Sequence, residues 1–178
     1  DTIAYLRTGD IWFLDPESLE THQVTHLLIP DDVPALEAAN QWDIGVTDFA
    51  WSPDGRQIAL EVGRLWGSGI RWVGLFDIAT GEVQALTPEE GDTAYRPTWT
   101  PEGKLSWIQR IDDDDSKAVV IYDLQTGQER LIEETRRKTL VRLGWSPMNN
   151  FLAFSTFEDH HYSLQVFHLN SPGIVFEQ

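Results

Sequence analysis

A chain of 178 residues that is 41% hydrophobic and 11% aromatic can bury a sizeable core, which excludes a disordered polymer. A formal net charge of -16 argues against nucleic acid as a partner, because phosphate binding needs a basic patch and the cluster Arg136, Arg137 and Lys138 is too small to reverse the balance. The absence of cysteine removes disulfides, thiolate metal sites and cysteine nucleophiles, and no apolar run approaches the roughly 18 residues of a membrane-spanning helix.

The chain opens at Asp1 with neither methionine nor an apolar leader, so more sequence is expected upstream in the natural protein, either a signal peptide or more of the same domain. Thr2 to Leu6, Asp10 to Asp15 and Thr21 to Leu28 read as strands. The stretch from Leu28 to Gly45 is an insertion, and it contains the best helix candidate, Val33 to Asn40, with Asp32 placed to cap it and Pro34 in its first turn. Three similar segments follow. The first reads VTDFAWSPDGRQIAL from Val46 to Leu60 and FDIATGEVQALT from Phe76 to Thr87. The second reads AYRPTWTPEGKLSW from Ala94 to Trp107 and YDLQTGQERLI from Tyr122 to Ile132. The third reads LVRLGWSPMNNFLAF from Leu140 to Phe154 and VFHLNSPGIVF from Val166 to Phe176.

The anchors Trp51, Trp99 and Trp145 recur at intervals of 48 and 46, each followed by a proline at the same offset, Pro53, Pro101 and Pro147. Each unit resolves into four short strands. The first ends at the tryptophan, and a Pro-Asp-Gly or Pro-Glu-Gly turn reverses the chain, with proline fixing φ and glycine permitting a positive one. The third strand ends in an aromatic residue and aspartate, Asp77 or Asp123, before a Thr-Gly hairpin. A period of about 45 residues with four strands per unit marks an all-β propeller, with blades at about 1–28, 46–87, 94–133 and 140–178 in a single domain over 1–178. The first blade lacks its innermost strand, so fifteen strands are expected. Two arrangements stay open: a part of a larger ring, or a four-bladed ring with one short blade. Open blade ends would favour self-association.

Trp51-Ser52-Pro53-Asp54-Gly55 resembles the TolB-type propeller repeat, whose units run from WSPDG through a strand and a D-I-Y-x-x-D stretch to a closing Leu-Thr. Asp10 to Asp15 with Val24-Thr25, and Phe76-Asp77 with Leu86-Thr87, fit that pattern. The last unit departs from it, with Met148-Asn149-Asn150 in place of Asp-Gly and His168 in place of the aspartate. The resemblance covers nearly the whole chain and implies the fold, while such propellers serve many roles.

Blade topology puts the stereotyped first-to-second and third-to-fourth turns at one end, and the irregular loops at the other. Long loops on a rigid scaffold are where binding resides, so that second end is the expected partner face. On it fall Trp42 in the insertion, and Arg64 and Trp66 in a Gly-rich loop. The carboxylate run Asp112, Asp113, Asp114 and Asp115 and the pair His160-His161 complete the set. Asp112 and Asp114 offer a weak alternative as metal ligands, but the run lacks the alternating spacing of a calcium loop. Adjacent strand residues point to opposite sides, which disfavours His160 and His161 as a shared metal pair. The anchors Trp51, Trp99 and Trp145 read as packing between blades, and Asp77 and Asp123 as acceptors in their turns.

No catalytic motif is present, neither a G-x-S-x-G elbow, nor an H-E-x-x-H pair, nor a phosphate-cradling loop. The sequence therefore points to a non-catalytic module for protein or peptide partners, outside the cytoplasm, needing no cofactor. Two alternatives remain: the gating domain of a larger serine peptidase, and a propeller that binds or cleaves carbohydrate. The second needs cations for uronate carboxylates, and the sequence supplies few on the expected face, chiefly Arg7, Arg64 and Lys117.

Overall fold

The computed structural model describes residues 2–27, 44–65, 71–88, 94–111, 116–137, 139–148, 150–169 and 174–177, the last four by backbone alone. Trp42, Trp66, Asp112 to Asp115 and the helix candidate at 33–40 lie outside the described residues.

Fifteen strands form four antiparallel meanders among the described residues. The first has three strands, β1 (Ile3–Arg7), β2 (Asp10–Leu14) and β3 (Thr21–Gln23). The second has β4 (Ile44–Trp51), β5 (Gln57–Arg64), β6 (Arg71–Asp77) and β7 (Val83–Ala85). The third has β8 (Ala94–Trp99), β9 (Leu105–Arg110), β10 (Lys117–Asp123) and β11 (Gln128–Arg137). The fourth has β12 (Leu140–Trp145), β13 (Phe151–Glu158), β14 (His161–His168) and β15 (Ile174–Glu177). Sequential order within each sheet follows from hairpins too short for any crossover. The opening strands β4, β8 and β12 lie side by side on the inner side of the stack.

Each interior sheet is covered on both faces, which explains why β5 is buried from Ile58 to Gly63 instead of alternating. Ile58, Leu60 and Val62 pack toward Ile11 and Phe13 of the first sheet. Ala59 points the other way, toward Ala94, Trp99 and Trp107 of the third. In turn Ile108 and Val119 of the third sheet meet Leu152, Phe154 and Phe167 of the fourth. The core is thus three slabs between four sheets, as expected when side chains alternate across a strand.

The third strand was expected to run from Thr21 to Leu28, but regular pairing stops at Gln23. The reason is a threonine latch. Val24 and Thr25 both donate N–H groups to the Ile11 carbonyl, and the Thr25 hydroxyl accepts the Ile11 N–H at 2.8 Å, which bends the strand out of register. Thr87 does the same for Val73 at 2.9 Å, and Thr135 for Val119 at 2.8 Å. In the third sheet the strand continues past its latch to Arg137, with a register shift between Lys117 and Val119.

Candidate functional site

The two ends of the stack use their polar groups differently. At the end of the stereotyped turns, side chains are bound to their own backbone. The Asp15 carboxylate accepts the N–H of Glu17 at 2.8 Å, Asp77 that of Ala79 at 2.9 Å, and Asp123 that of Gln125 at 3.0 Å. The Ser52 hydroxyl donates to Asp54 at 2.7 Å and accepts the Gln57 N–H at 2.9 Å. These bonds favour the ionised carboxyl. The Glu17 amide holds Asp15 below the usual carboxylate range, the Ser52 hydroxyl does so for Asp54, and Lys104, ahead of the turn amides, for Asp123. The two cations in these turns have carboxylate partners, Lys104 with Asp123 at 2.9 Å and Arg56 with Asp54 at 4.0 Å. A cleft of about 460 Å³ opens here between the third and fourth sheets, lined by Lys104, Asp123, Arg130 and Asn150 among others.

At the opposite end the strands terminate in arginine. β1, β5 and β9, which lead into the loop hairpins, end in Arg7, Arg64 and Arg110. Arg71 and Lys117 begin the returning strands β6 and β10, and Arg136 and Arg137 close β11. The expectation that this face offers few cations therefore does not hold. Single arginines scattered through the sequence become neighbours once the meanders bring alternate strand ends to one side.

The inner strands carry the irregular geometry. Register shifts occur between Val46 and Asp48 in β4, Tyr95 and Thr98 in β8, and Leu140 and Arg142 in β12, so each has a bulge near the same height. Bulges of this kind re-aim side chains. At the β8 bulge Arg96 sits at φ 57°, a left-handed conformation uncommon for arginine. Two carboxylates of the second sheet hold it. Its N–H donates to Glu61 Oε2 at 2.9 Å, and its guanidinium Nη1 donates to Asp48 Oδ2 at 2.8 Å. Glu61 is 4% exposed, and its other oxygen accepts the Thr47 hydroxyl at 2.8 Å with Arg71 Nε 3.9 Å away. Beside them Arg71 and Lys117 lie over the Tyr95 ring, at 5.7 and 6.0 Å from its centroid. None of Asp48, Glu61 and Arg96 stood out in the sequence. The usable signal was Glu61, a single carboxylate inside the buried run of β5, since a buried acid needs partners.

No protein-family model matches the chain. Dipeptidyl-peptidase 5 of Porphyromonas gingivalis is 26% identical over 121 residues, which is 62% of this chain and 17% of that protein. A chain of the solved nidogen/laminin complex matches with a TM-score of 0.65 and 10% identity, over 99% of this chain and 62% of that one. TolB from Acinetobacter baumannii matches with a TM-score of 0.67 and 16% identity, over 97% of this chain and 39% of that one. This is a TolB-type β-propeller fold.

Within the TolB-type propeller the three repeat tryptophans all reach back to the preceding blade. Trp51 stacks on Phe13, with ring centres 5.5 Å apart and planes at 21°. Trp99 donates its indole N–H to the Ala50 carbonyl at 3.0 Å, and Trp145 donates to the Ser106 hydroxyl at 2.8 Å. Pro53, Pro101 and Pro147 occupy the turns that follow. His168 stands where the earlier blades have aspartate and packs edge-on against Phe151, with centroids 4.6 Å apart. On the loop face Arg64 is exposed at the end of β5, opposite Ile44. Asp159 and His160 form a two-residue hairpin at φ 48° and 65°, and the next residue, His161, pairs with Glu158. Both histidines are exposed. The propeller thus brings the arginine strand ends and the inner ionic network to the same end as this hairpin.

Proposed function

We propose that this propeller is a non-catalytic docking module for a protein or peptide partner, working outside the cytoplasm through the loop end that carries Arg64, His160 and His161. The observation that carries this reading is the contrast between the two ends. Turn carboxylates and hydroxyls at one end are bound to their own backbone, whereas the other presents ionisable groups and an exposed histidine hairpin on loops of unequal length. Trp42, Trp66 and Asp112 to Asp115 belong to this face by blade topology and supply its aromatic and acidic contacts. Similarity to a chain of the nidogen/laminin complex supports a protein partner. The test is cross-linking of the full-length protein in its native cells, then recapture with alanine at Trp42, Trp66 and His160. Weaker recapture by these variants is expected. A partner held equally well by all three sinks the reading.

A second reading is supported by the match to dipeptidyl-peptidase 5, of which the chain spans 17%. In it the propeller is one domain of a larger serine peptidase, and the flanking coding sequence carries an α/β-hydrolase with a G-x-S-x-G elbow. Reading that flanking sequence decides between the two.

A further inference from the structure

The basic residues of this acidic chain are segregated. Of the twelve described, nine sit at or near the loop end, while Arg56 and Lys104 lie in the opposite turns and Arg130 along β11. Arg110 and Lys117 are placed directly across from one another in the β9–β10 register. Arg96 and Arg142 occupy one repeated position, three residues before the inner tryptophan of successive blades, on strands that lie against each other. The same position in the blade before them is Asp48, which engages Arg96. Arg142 is exposed, and its side chain makes no hydrogen bond or ion pair among the described residues. Glu61 and Asp48 fix the backbone and guanidinium of Arg96 in advance, so little ordering remains when a ligand arrives.

From this we infer that the inner strands at the loop end bind an acidic peptide segment, with its carboxylates held by Arg142 and Arg96. Guanidinium forks match carboxylates in geometry and charge. The net charge of -16 repels long polyanions at a distance, so a segment with a few carboxylates fits better than nucleic acid. The inference rests on the docking-module reading and adds the partner's chemistry.

The experiment titrates the protein into fluorescein-labelled hexaglutamate, with hexaglutamine and hexalysine as controls, and reads anisotropy at low and moderate salt. Hexaglutamate is expected to bind, to weaken with salt, and to weaken about ten-fold or more on Arg142→Gln, the size of one charge-assisted hydrogen bond. Arg130→Gln is expected to leave binding unchanged. Arg142 is exposed, so its variant is expected to fold, and circular dichroism checks this. Equal binding of hexaglutamine, tighter binding of hexalysine, or an indifferent Arg142→Gln overturns the inference. Displacement of hexaglutamate by a much tighter galacturonate oligomer also overturns it, in favour of acidic sugars. Capture of a native partner that ignores both Arg142→Gln and added hexaglutamate overturns it while the docking reading survives. Failure of the docking reading shows differently, as hexaglutamate binding preserved with no protein partner found.

Discussion

The indole N–H of Trp99 donates to the main-chain carbonyl of Ala50 at 3.0 Å, so the innermost strand of the third sheet is tied to that of the second. Trp99 is 8% exposed, and removing the donor leaves a carbonyl short of its partner inside a packed interface. Trp99→Phe is expected to lower unfolding free energy by about 1–3 kcal/mol, measured by urea titration. Trp145→Phe is expected to cost less, because the Ser106 oxygen that accepts this bond stays satisfied in part by its own O–H, which donates to the Thr98 carbonyl at 3.3 Å.

Gly45 meets Gly9 backbone to backbone, and a Cβ on Gly45 would lie 2.7 Å from the Gly9 carbonyl oxygen. The Val46 N–H donates to that same oxygen at 2.7 Å, so the strands cannot separate without losing the bond. Gly45→Ala is expected to cost about 1–3 kcal/mol, as overpacking does, and to lower the thermal midpoint. Gly144→Ala, where nothing lies within 4 Å of the added carbon, serves as the control.

Leu19 takes a left-handed backbone, φ 60°, in the turn where the second and third sheets use Gly81 and Gly127. Its N–H reaches the Asp15 carbonyl at 2.9 Å just as Gly81 reaches Asp77 at 2.8 Å. Since Leu19 is 73% exposed, its side chain contributes little packing to offset the strain. Leu19→Gly is therefore expected to be neutral or stabilising by up to about 1 kcal/mol, because the conformational relief of about 1–2 kcal/mol exceeds the entropy glycine adds to the unfolded chain. Gly81→Leu is expected to destabilise. Both are read by thermal melting.

The latch threonines are replaceable in shape but not in chemistry. Thr135→Val keeps the volume and removes the oxygen that accepts the buried Val119 N–H, an expected loss of about 1–3 kcal/mol. Thr87→Val is expected to act similarly through Val73. Amide exchange at Val119 and Val73 should accelerate selectively in the respective variants.

Acid stability should follow the turn carboxylates. Asp15, Asp54 and Asp123 are all lowered in the folded protein from an ordinary 3.8. A depressed carboxyl contributes stability that is present above its unfolded pKa and is lost as pH falls through its folded pKa. Stability is thus expected to decline as pH drops below about 4. Asp123→Asn, which keeps an acceptor for the turn and discards the charge facing Lys104, should flatten that decline. Denaturation midpoints between pH 5 and 2 measure it.

Much of the scaffold could be read from the tryptophan-proline turns, because they recur and because each turn type dictates its residues. Asp77 and Asp123 accept hydrogen bonds in the turns where their recurrence put them. Thr25 and Thr87 were visible in the repeat, but Thr135 was not, since it follows Glu133-Glu134 rather than leucine and its latch depends on a bulge. The ionic group of Asp48, Glu61 and Arg96 was hidden for a different reason. Its members are 13 to 48 positions apart and meet only when adjacent blades stack, and neither propensity nor periodicity encodes that pairing.

Because every repeat tryptophan reaches toward the sheet before it, the array has a direction, and its two sides should respond differently to severing. A break between Asp123 and Gln128 would divide the third sheet itself, whereas one between Arg137 and Leu140 would release a fourth sheet that carries a bare indole away with it. The sheets left behind would keep both of their own tryptophan contacts intact. Among the described sheets, the indole that such a break lays bare therefore always belongs to the later sheet of the pair, much as each roof tile in a row hooks onto the course laid before it.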